Sequence, residues 1–412
     1  MRLGEVANGS AAAFGMPLQG ISVLALEQMQ AMPYATQLLA RLGADVVKIE
    51  PLGGESGRSS LPGMLDPEGR NVGATFLRNN LNKRSVTIDV RQDAGRDLVL
   101  RLLPHFDVFA ENSRPGAMVD LGLGYEAVAA IHPGCVYASI SGFGNGAPTP
   151  YRDRAALAPV VEAMSGIYDM RQGDEREPIV APSGAIGDIG AGLYATIGIL
   201  AALRHRDATG QGQYVDIAML DSMVAMTDIV TNLWSLGVAR GGVGPVIMHG
   251  FRAKDGWFVL QVIREHHFTK LAEIVGRPEW LEDPRFATRQ GWVEHLESDI
   301  RPAVEEWASF HTKVDAAERL AAVGLAVGPC LSAEEVVHDA HVEARNMLVE
   351  MPRTDGVPQA VITPGNPVKL SKVQEGPERR VPWLGEHTAE VLRDVLGLDD
   401  AELIALRADA VI

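Results

Sequence analysis

Residues 20–50 read GISVLALEQMQAMPYATQLLARLGADVVKIE, and this stretch decides the fold. It combines an apolar run, a helical pattern opened by Pro33 and a second apolar run that ends in Glu50, an order typical of a β-α-β unit. An acidic residue at the end of the second strand also occurs in dinucleotide-binding folds. The turn after the first run lacks a GxGxxG pattern, so a nicotinamide or flavin site is not expected.

The alternation of strands and helices continues through the first half of the chain. The predicted strands are 85–90, 107–111, 136–141 and 213–217, with predicted helices at 93–103 and 125–131. Strands separated by helices indicate a parallel, doubly wound sheet of Rossmann-like α/β type. Ligands of such sheets bind beyond the carboxyl ends of the strands. The turns of interest are therefore 28–33, 91, 112–116 and 141–144.

The regular alternation of strand and helix patterns ends after residue 236. A glycine-rich segment, a hairpin turn at Asp255-Gly256 and short helical patterns predict a small α+β domain. A second hairpin pattern and two amphipathic helices then predict a return to the first domain. We expect a large α/β domain at 1–236, a small α+β domain at 237–347 and a C-terminal return to the large domain at 348–412.

The composition argues against several classes of partner. The chain has 412 residues and a net charge of −16. Nucleic acids and anionic membranes attract basic surfaces, so neither is expected as a partner. The two cysteines, Cys135 and Cys330, do not suggest a disulfide framework, and residues 1–16 lack the apolar core of a signal peptide. We therefore expect a cytoplasmic protein.

Metal and hydrolase motifs are not apparent in the sequence. Two histidine pairs, His266-His267 and His338 with His341, have no further ligands at metal-binding spacing, so no metal site is expected. A serine hydrolase is not expected either, because the chain has no G-x-S-x-G elbow.

A candidate nucleophile lies in residues 181–220, APSGAIGDIGAGLYATIGILAALRHRDATGQGQYVDIAML. Asp188 sits among four glycines, which let backbone N–H groups approach a ligand, and an apolar helix is predicted from residue 189. Two simpler interpretations stay open: Asp188 only caps that helix, or the segment crosses a membrane. The apolar run of about fifteen residues is shorter than the ~20 that a bilayer needs, which favours a buried core helix.

Basic residues are concentrated between Arg78 and Arg114. Arg96 and Arg101 fall on a helical pattern and are expected to be solvated. Lys83, Arg91 and Arg114 fall in turns, where contact with a phosphate and a solvated position are equally open.

Several motifs, taken in order, resemble the class III CoA-transferases, a family that includes formyl-CoA and carnitine CoA-transferases and, as a branch, the alpha-methylacyl-CoA racemases. The resemblance covers about residues 19–390 and depends on the ordered succession of motifs, none of which is specific alone. The motifs are Gln30-Ala31 with LLARLGADVVKIEP, Asn82-Lys83-Arg84-Ser85, Glu111-Asn112 with Arg114-Pro115-Gly116, ASISGFG at 138–144, Ala163-Met164-Ser165-Gly166, Gly187-Asp188, TGQGQ at 209–213 with Asp216, and Gly385-Glu386-His387-Thr388.

The resemblance implies that Asp188 is the catalytic nucleophile. In such enzymes the carboxylate attacks an acyl-CoA thioester, forms a mixed anhydride and then an aspartyl-CoA thioester, and passes the CoA to an incoming carboxylic acid. Backbone N–H groups at Gly187 and Gly190 are expected to stabilise the oxyanions. The family also implies an interlocked homodimer.

The resemblance further implies which residues bind coenzyme A. The expected contacts are Gln30, Ala31, Lys83, Arg84, Arg91, Asn112, Ser113, Arg114, Ile140, Ser141, Gly142 and Phe143. Pro51 and Asp120 stand where some relatives have phosphate-binding arginines, so Arg114, Lys83 or Arg84 is expected to substitute for them. The acid pocket is expected near Phe143, Tyr168, the 171–178 loop and His249.

Two alternatives to CoA transfer remain: an acyl-CoA epimerase of the racemase type and a catalytically idle acyl-CoA-binding homologue. The racemase branch has a histidine before the Ser-Gly pair, where this chain has Leu157, and epimerisation needs two acid/base groups. The loop at 241–248 also differs from the glycine run of formyl-CoA transferases, so formate is not the expected acyl group. We expect a CoA-transferase that uses an acyl-CoA and a small carboxylic acid.

Overall fold

The computed structural model describes residues 1–146, 149–152, 154–168, 184–227, 229–237 and 244–412. This part of the chain divides into two units. The first combines Met1–Leu236 with Ala340–Ile412, and the second is Gly237–Asp339. The chain re-enters the first unit earlier than the expected boundary at residue 348, because the short helix Ala340–Ala344 belongs to the first unit.

The first unit is built on a parallel sheet. Its strands up to residue 236 are β1 (Ser22–Leu26), β2 (Asp45–Glu50), β3 (Gly63–Leu65), β4 (Asn71–Gly73), β5 (Arg84–Thr87), β6 (Val108–Glu111), β7 (Val136–Ser141) and β8 (Tyr214–Ala218). β3 and β4 form a small antiparallel pair, and the other six form a parallel sheet in the order β5-β2-β1-β6-β7-β8. The predicted doubly wound, Rossmann-like sheet is thus confirmed.

Both faces of this sheet are buried, which explains why its strands are nearly continuous apolar runs. All six residues of β7 are buried. Neighbouring residues of β1 belong to different hydrophobic clusters, Val23 and Ala25 to one and Leu24 to the other. Because successive side chains of a strand point to opposite faces, these two clusters lie on the two sides of the sheet.

Helices cover the two faces. In chain order they are α1 (Ala31–Arg41), α2 (Ala74–Asn79), α3 (Asp93–Leu102), α4 (Ala117–Asp120), α5 (Tyr125–Ile131), α6 (Ala158–Met164), α7 (Ile186–Thr209) and α8 (Met219–Ala225). α1, α6, α7 and α8 contribute to the cluster on one face, and α3, α4 and α5 contribute to the other. Shorter helical turns lie at Gly9–Phe14, Ser56–Ser59, Leu103–His105 and Ile229–Leu233.

α7 has 24 residues and carries the candidate nucleophile. It begins at Ile186, three residues earlier than the sequence pattern indicates, and it ends before Gly210, which has a φ of 74°. By length and composition alone α7 could cross a membrane, but half of its most apolar window is buried inside the protein. Packing against α1, α6 and α8 accounts for its apolar character.

The second unit has its own core. Its antiparallel sheet has the order β11-β10-β9 and consists of β9 (Ile247–Arg252), β10 (Trp257–Val262) and β11 (Ala326–Pro329). Its helices are α9 (Glu265–Ile274), α10 (Arg289–Glu294), α11 (Arg301–Ala308), α12 (Lys313–Ala322) and α13 (Ala333–Val337), with short turns at Pro278–Leu281, Pro284–Phe286 and Leu296–Ile300. The predicted small α+β fold is confirmed.

The C-terminal part completes the first unit. It contains α14 (Ala340–Ala344), an antiparallel pair formed by β12 (Leu348–Met351) and β13 (Val361–Pro364), α15 (Thr388–Leu396) and α16 (Asp400–Ala408). Residues of α15 and α16 pack into the same cluster as α3.

Candidate active site

The strands β1 and β6 lie side by side at the centre of the sheet and end together. Leu26 pairs with Glu111 at the end of this ladder. The strand order changes direction between them, which places a ligand-binding crevice beyond their carboxyl ends. Asn112 joins the two turns at this point: its Oδ1 accepts a hydrogen bond from Gln28 N at 2.9 Å, and its Nδ2 donates to Gln28 O at 2.9 Å.

The turn after β1 is held in place from the other side by residues 55–57. Met29 has a φ of 59°, a conformation that costs a non-glycine residue roughly 1–2 kcal/mol. Glu55 supports this turn, since its Oε2 accepts hydrogen bonds from Met29 N at 3.0 Å and from Gly57 N at 2.5 Å. The turn that carries Gln30 is therefore shaped by contacts on both flanks.

α1 begins directly after this turn, with Gln30 as its N-cap and Ala31 as its first residue. α7 crosses α1 at this end. A Cβ added at Gly192 would lie 2.7 Å from Ala31 O and 3.0 Å from Tyr34 Cδ1, so only glycine allows this approach. Asp188 is about one helical turn before Gly192. The structure thus brings Asp188 into the region of the expected CoA contacts Gln30 and Ala31.

Asp188 is the third residue of α7 and is half-buried. The N-cap residue, Ala185, makes no side-chain cap. Glu162 of α6 supplies one instead, because its Oε1 accepts a hydrogen bond from Gly187 N at 3.0 Å. Burial and, after it, the charge of Glu162 raise the pKa of Asp188 to about 6. Such a carboxylate is ionised at neutral pH and more basic than an exposed aspartate.

The glycines near Asp188 allow close packing. The N–H of Gly187 is engaged by Glu162, which corrects the expectation that it binds an oxyanion. A Cβ at Gly187 would lie 2.8 Å from Val161 Cγ2, and a Cβ at Gly190 would lie 2.6 Å from Met226 Sδ. Gly190 is an interior residue of α7, where backbone N–H groups bond within the helix. Both glycines therefore serve the approach of neighbouring helices.

Lys83 does not reach the crevice, which corrects the expectation that it binds a phosphate. Its side chain is fully buried. The ammonium donates to Glu27 Oε1 at 2.7 Å, Pro33 O at 2.9 Å and Asn80 Oδ1 at 2.9 Å. These bonds use all three N–H donors of a lysine. Burial lowers the pKa of Lys83 to about 8 in spite of the neighbouring Glu27.

Arg84 is also paired with carboxylates, which argues against its expected contact with a phosphate. It is the first residue of β5, and its guanidinium pairs with Asp45, the first residue of β2, and with Glu390 at 3.2 Å. Arg91 lies in the turn after β5, as predicted, and is exposed. Its guanidinium makes a bidentate contact with Asp89 at 2.8 and 2.9 Å.

Arg114 lines a cavity of about 390 Å³ beside β6, β7 and β8. The cavity is also lined by Glu111, Asn145, Arg152 and the rings of Tyr125, Tyr137 and Tyr214. Arg114 and Arg152 are both exposed. The neighbouring Ser113 contributes its backbone N–H to Glu111 Oε2 at 2.7 Å. This cavity therefore combines two arginines with aromatic faces, a chemistry suited to a phosphorylated nucleotide.

The segment after β7 is rigidly held. The side chain of Ile140 is buried in the core, and Ser141 Oγ accepts from Gly144 N at 2.9 Å. A Cβ at Gly142 would lie 2.1 Å from the Cβ of Ala156, so this backbone passes close to the segment before α6. Phe143 packs on Tyr151 with ring centroids 5.4 Å apart. Asp216 of β8 accepts from Asn145 N at 3.0 Å and from Gly146 N at 2.6 Å.

The expected acid pocket is only partly described. Tyr168 donates to Glu162 Oε2 at 2.5 Å, which places it next to the first turn of α7. The 171–178 loop lies outside the described residues, and so does the first part of the 241–248 loop. His249 belongs to β9 of the second unit. Within the described ranges, no group of three or more His, Cys, Asp or Glu side chains is arranged to hold a metal ion.

Two residues of this site were not predicted from the sequence, Glu162 and Arg152. Glu162 interrupts the apolar pattern of α6 and is 2 % exposed, so a charged residue at a core position was the available signal. Arg152 lies in a loop, where the sequence offers no pattern that separates it from a solvated arginine.

The chain matches a known protein family. A family model described as CoA-transferase family III matches residues 18–388. The chain is 33% identical to the succinyl-CoA--L-malate CoA-transferase beta subunit of Chloroflexus aurantiacus, over 96% of this chain and 98% of that protein. It is 35% identical to the formyl-CoA:oxalate CoA-transferase of Streptomyces avermitilis, over 96% of this chain and 99% of that protein.

A solved structure has the same fold. The CAIB/BAIF family protein from Brucella suis superposes with a TM-score of 0.82 and 33% identity, covering 92% of this chain and 99% of that one. The family match spans nearly the whole chain, and the relatives are similar to it over nearly their whole lengths. The chain therefore belongs to CoA-transferase family III and is a CoA-transferase.

Proposed function

We propose that the protein transfers CoA from an acyl-CoA donor to a small carboxylic acid, with Asp188 as covalent nucleophile. The observation that carries this proposal is the place of Asp188, half-buried in the first turn of α7 and one turn before the contact of Gly192 with Ala31. A carboxylate there can reach a thioester that extends from the crevice beyond β1 and β6.

The chemistry consists of four exchanges at acyl carbons. The Asp188 carboxylate attacks the thioester carbonyl, the C–S bond breaks, and an acyl-aspartyl anhydride and CoA thiolate result. The thiolate attacks the aspartyl carbonyl, so the donor carboxylate leaves and Asp188 holds CoA as a thioester. The acceptor carboxylate displaces the thiolate to form a second anhydride. The thiolate then attacks the acceptor acyl carbon, which releases the product and free Asp188.

The surroundings of Asp188 suit this sequence. The first attack requires the ionised Asp188 carboxylate, and with a pKa raised to about 6 by burial and Glu162 this group is ionised at pH 7 and above. The same environment makes it more basic than an exposed aspartate, and therefore a stronger nucleophile. We assign the phosphates of CoA to Arg114 and Arg152, because these two exposed guanidiniums line one cavity.

Chemical trapping tests the role of Asp188. Incubation with an acyl-CoA and hydroxylamine should convert Asp188 to a hydroxamate, which peptide mass spectrometry would locate. Borohydride should reduce the aspartyl-CoA thioester at the same residue. An Asp188→Asn variant is the control and should show no adduct. Turnover in the wild-type protein with an unmodified Asp188 would contradict the proposal.

An acyl-CoA epimerase would need a second acid/base group opposite Asp188. The position that the resemblance assigns to this group is Leu157, which is exposed and apolar. We therefore expect no solvent deuterium at the α-carbon of the acyl group during turnover. Deuterium incorporation without CoA transfer would support the epimerase, and CoA binding without either reaction would indicate an idle homologue.

We also propose that the protein is an interlocked homodimer in the cytoplasm. α7 exposes Leu193 and Ile197, one turn apart, and Trp234 and Leu236 are exposed farther along the chain. Adjacent exposed apolar side chains of this size are typical of surfaces covered by a partner. Sedimentation velocity should give the mass of two chains, and a single-chain mass at micromolar concentration would refute the dimer.

A further inference from the structure

Glu162 is a buried carboxylate that accepts hydrogen bonds from two neutral donors. It is 2 % exposed. Its Oε1 accepts from Gly187 N at 3.0 Å, and its Oε2 accepts from the Tyr168 hydroxyl at 2.5 Å. Burying a carboxylate is unfavourable unless the surroundings compensate, so a purely structural position would be served as well by an uncharged side chain.

The location of Glu162 is specific to the nucleophile. The Gly187 N–H belongs to the residue directly before Asp188, so Glu162 occupies the anion site at the N-terminus of α7. Asp188, the next residue, therefore lies beside a second negative charge. That charge adds to burial in raising the pKa of Asp188.

Other charged groups near the start of α7 are few in the described part of the chain. The elements packed against α7 are α1, α6, α8, β7 and β8. The titratable groups that they carry are Tyr34 and Arg41 of α1, Glu162 of α6, Asp221 of α8, Tyr137 of β7, and Tyr214 and Asp216 of β8. Arg41 is paired with Glu378 at 2.9 Å, Asp221 is exposed, and Asp216 accepts the N–H groups of the loop after β7. Among these described groups, Glu162 is the one whose charge raises the pKa of Asp188.

We propose that Glu162 is the positioning residue of the nucleophile: it holds the first turn of α7 through Gly187 and places a second negative charge beside Asp188. This inference rests on the proposed function, in which Asp188 attacks the thioester. The anchored turn fixes the direction of the Asp188 carboxylate, and the adjacent charge makes that carboxylate more basic. Tyr168 supports the arrangement by holding the second oxygen of Glu162.

The charge of Glu162 has two opposite effects on the activity of Asp188. The neighbouring charge raises the pH at which Asp188 ionises, so activity begins at a higher pH. Above that pH the more basic carboxylate attacks faster. With a Brønsted slope of about 0.45, as known for thiolate nucleophiles, a midpoint that moves by one pH unit changes the rate by about threefold.

Glu162→Gln tests the proposal, because the amide keeps the shape and an oxygen for Gly187 N but has no charge. The measured quantity is the single-turnover release of the donor acid, without acceptor, between pH 4.5 and 8.5. We expect the midpoint of the acidic limb to fall from about 6 but to stay above 3.8, the ordinary value for aspartate, because burial is the larger cause of the raised pKa of Asp188 and is still present in the variant. The plateau rate should fall by up to about threefold. Glu162→Asp retains the charge and should keep the midpoint near that of the wild type.

A matched control is Asp221→Asn, which removes the negative charge of an exposed side chain on α8. Its pH profile should equal that of the wild type. If Glu162→Gln does not fold, Glu162→Met provides the same readout, because replacing a buried charge by an apolar side chain of similar length is often tolerated.

The outcomes separate this inference from the proposed function. An unchanged midpoint in Glu162→Gln or Glu162→Met, with wild-type Asp188 trapped by hydroxylamine, overturns the role of Glu162 alone. Failure to trap Asp188 in the wild type overturns both. A lowered midpoint together with a trapped Asp188 supports both.

Discussion

Asn112 and Gln28 exchange two hydrogen bonds, each of 2.9 Å, between the turns that follow β6 and β1. These turns belong to strands that are adjacent in the sheet but separated by more than eighty residues in sequence. Their relative position determines the shape of the crevice between them. We therefore expect the side chain of Asn112 to affect CoA binding through the backbone of the neighbouring turn.

Asn112→Ala should reduce kcat/KM for the acyl-CoA about tenfold, because it removes two hydrogen bonds of about 1 kcal/mol each and loosens the turn that carries Gln30. Steady-state kinetics with varied acyl-CoA would measure this. Gln92→Ala is a matched control, since Gln92 also uses its side-chain amide to bond a backbone oxygen, that of Ala410. A control variant as impaired as Asn112→Ala would contradict the assignment.

Arg114 and Arg84 allow a direct comparison of two arginines that the sequence does not distinguish. Arg114→Ala should weaken CoA binding about tenfold or more, because a charge-assisted bond to a phosphate contributes about 1.5–3 kcal/mol. Arg84→Ala should change it less than twofold, since Arg84 pairs with Asp45 and Glu390. Isothermal titration with CoA would measure both, and a larger loss in Arg84→Ala would refute this assignment.

The fold was predictable from the sequence because its signals are local. Each strand of the sheet is a short apolar run, and the turns after them follow from the parallel topology. The start of α7 was misplaced because its glycines lower helix propensity, whereas close packing on α1 compensates for that.

The site was less predictable because it depends on contacts distant in sequence. Lys83 follows a turn, where a lysine is usually exposed. Its side chain is buried instead, because it pairs with Glu27, which lies 56 residues away in the sequence. The cap on α7 comes from Glu162, 25 residues before Gly187. No local pattern reveals that a glycine N–H is already bonded by a distant carboxylate.

Two glycines of α7 should respond differently to alanine. At Gly192 the new Cβ would meet the backbone oxygen of Ala31 at 2.7 Å, and backbone cannot move without displacing α1. At Gly190 it would meet the flexible end of Met226. Gly192→Ala should cost at least about 2 kcal/mol of unfolding free energy and lower kcat, whereas Gly190→Ala should stay within about 1 kcal/mol. Urea unfolding and kinetics of both variants would test this, and equal effects would contradict it.

Asp188→Asn should abolish CoA transfer and yet stabilise the protein at pH 8. Burial and Glu162 raise the pKa of Asp188 from its ordinary 3.8 to about 6 in the folded state, so the folded protein binds this proton more tightly than the unfolded chain. Stability is therefore lost as the pH rises from about 4 to about 6, and it stays lower above that range, by on the order of 2 kcal/mol. Asparagine does not ionise, so the Asp188→Asn variant does not lose this stability as the pH rises.

The expected difference between variant and wild type thus depends on pH. Asp188→Asn should be more stable than the wild type by on the order of 2 kcal/mol at pH 8, and equal to it at pH 4, where Asp188 is protonated in most folded molecules. Urea unfolding at the two pH values, at one protein concentration, would measure the difference. A variant less stable than the wild type at pH 8 would mean that the α7 N-terminus stabilises the ionised carboxylate. In that case Asp188 would act as a helix cap with a lowered pKa, and the proposal that burial raises its basicity as a nucleophile would be wrong.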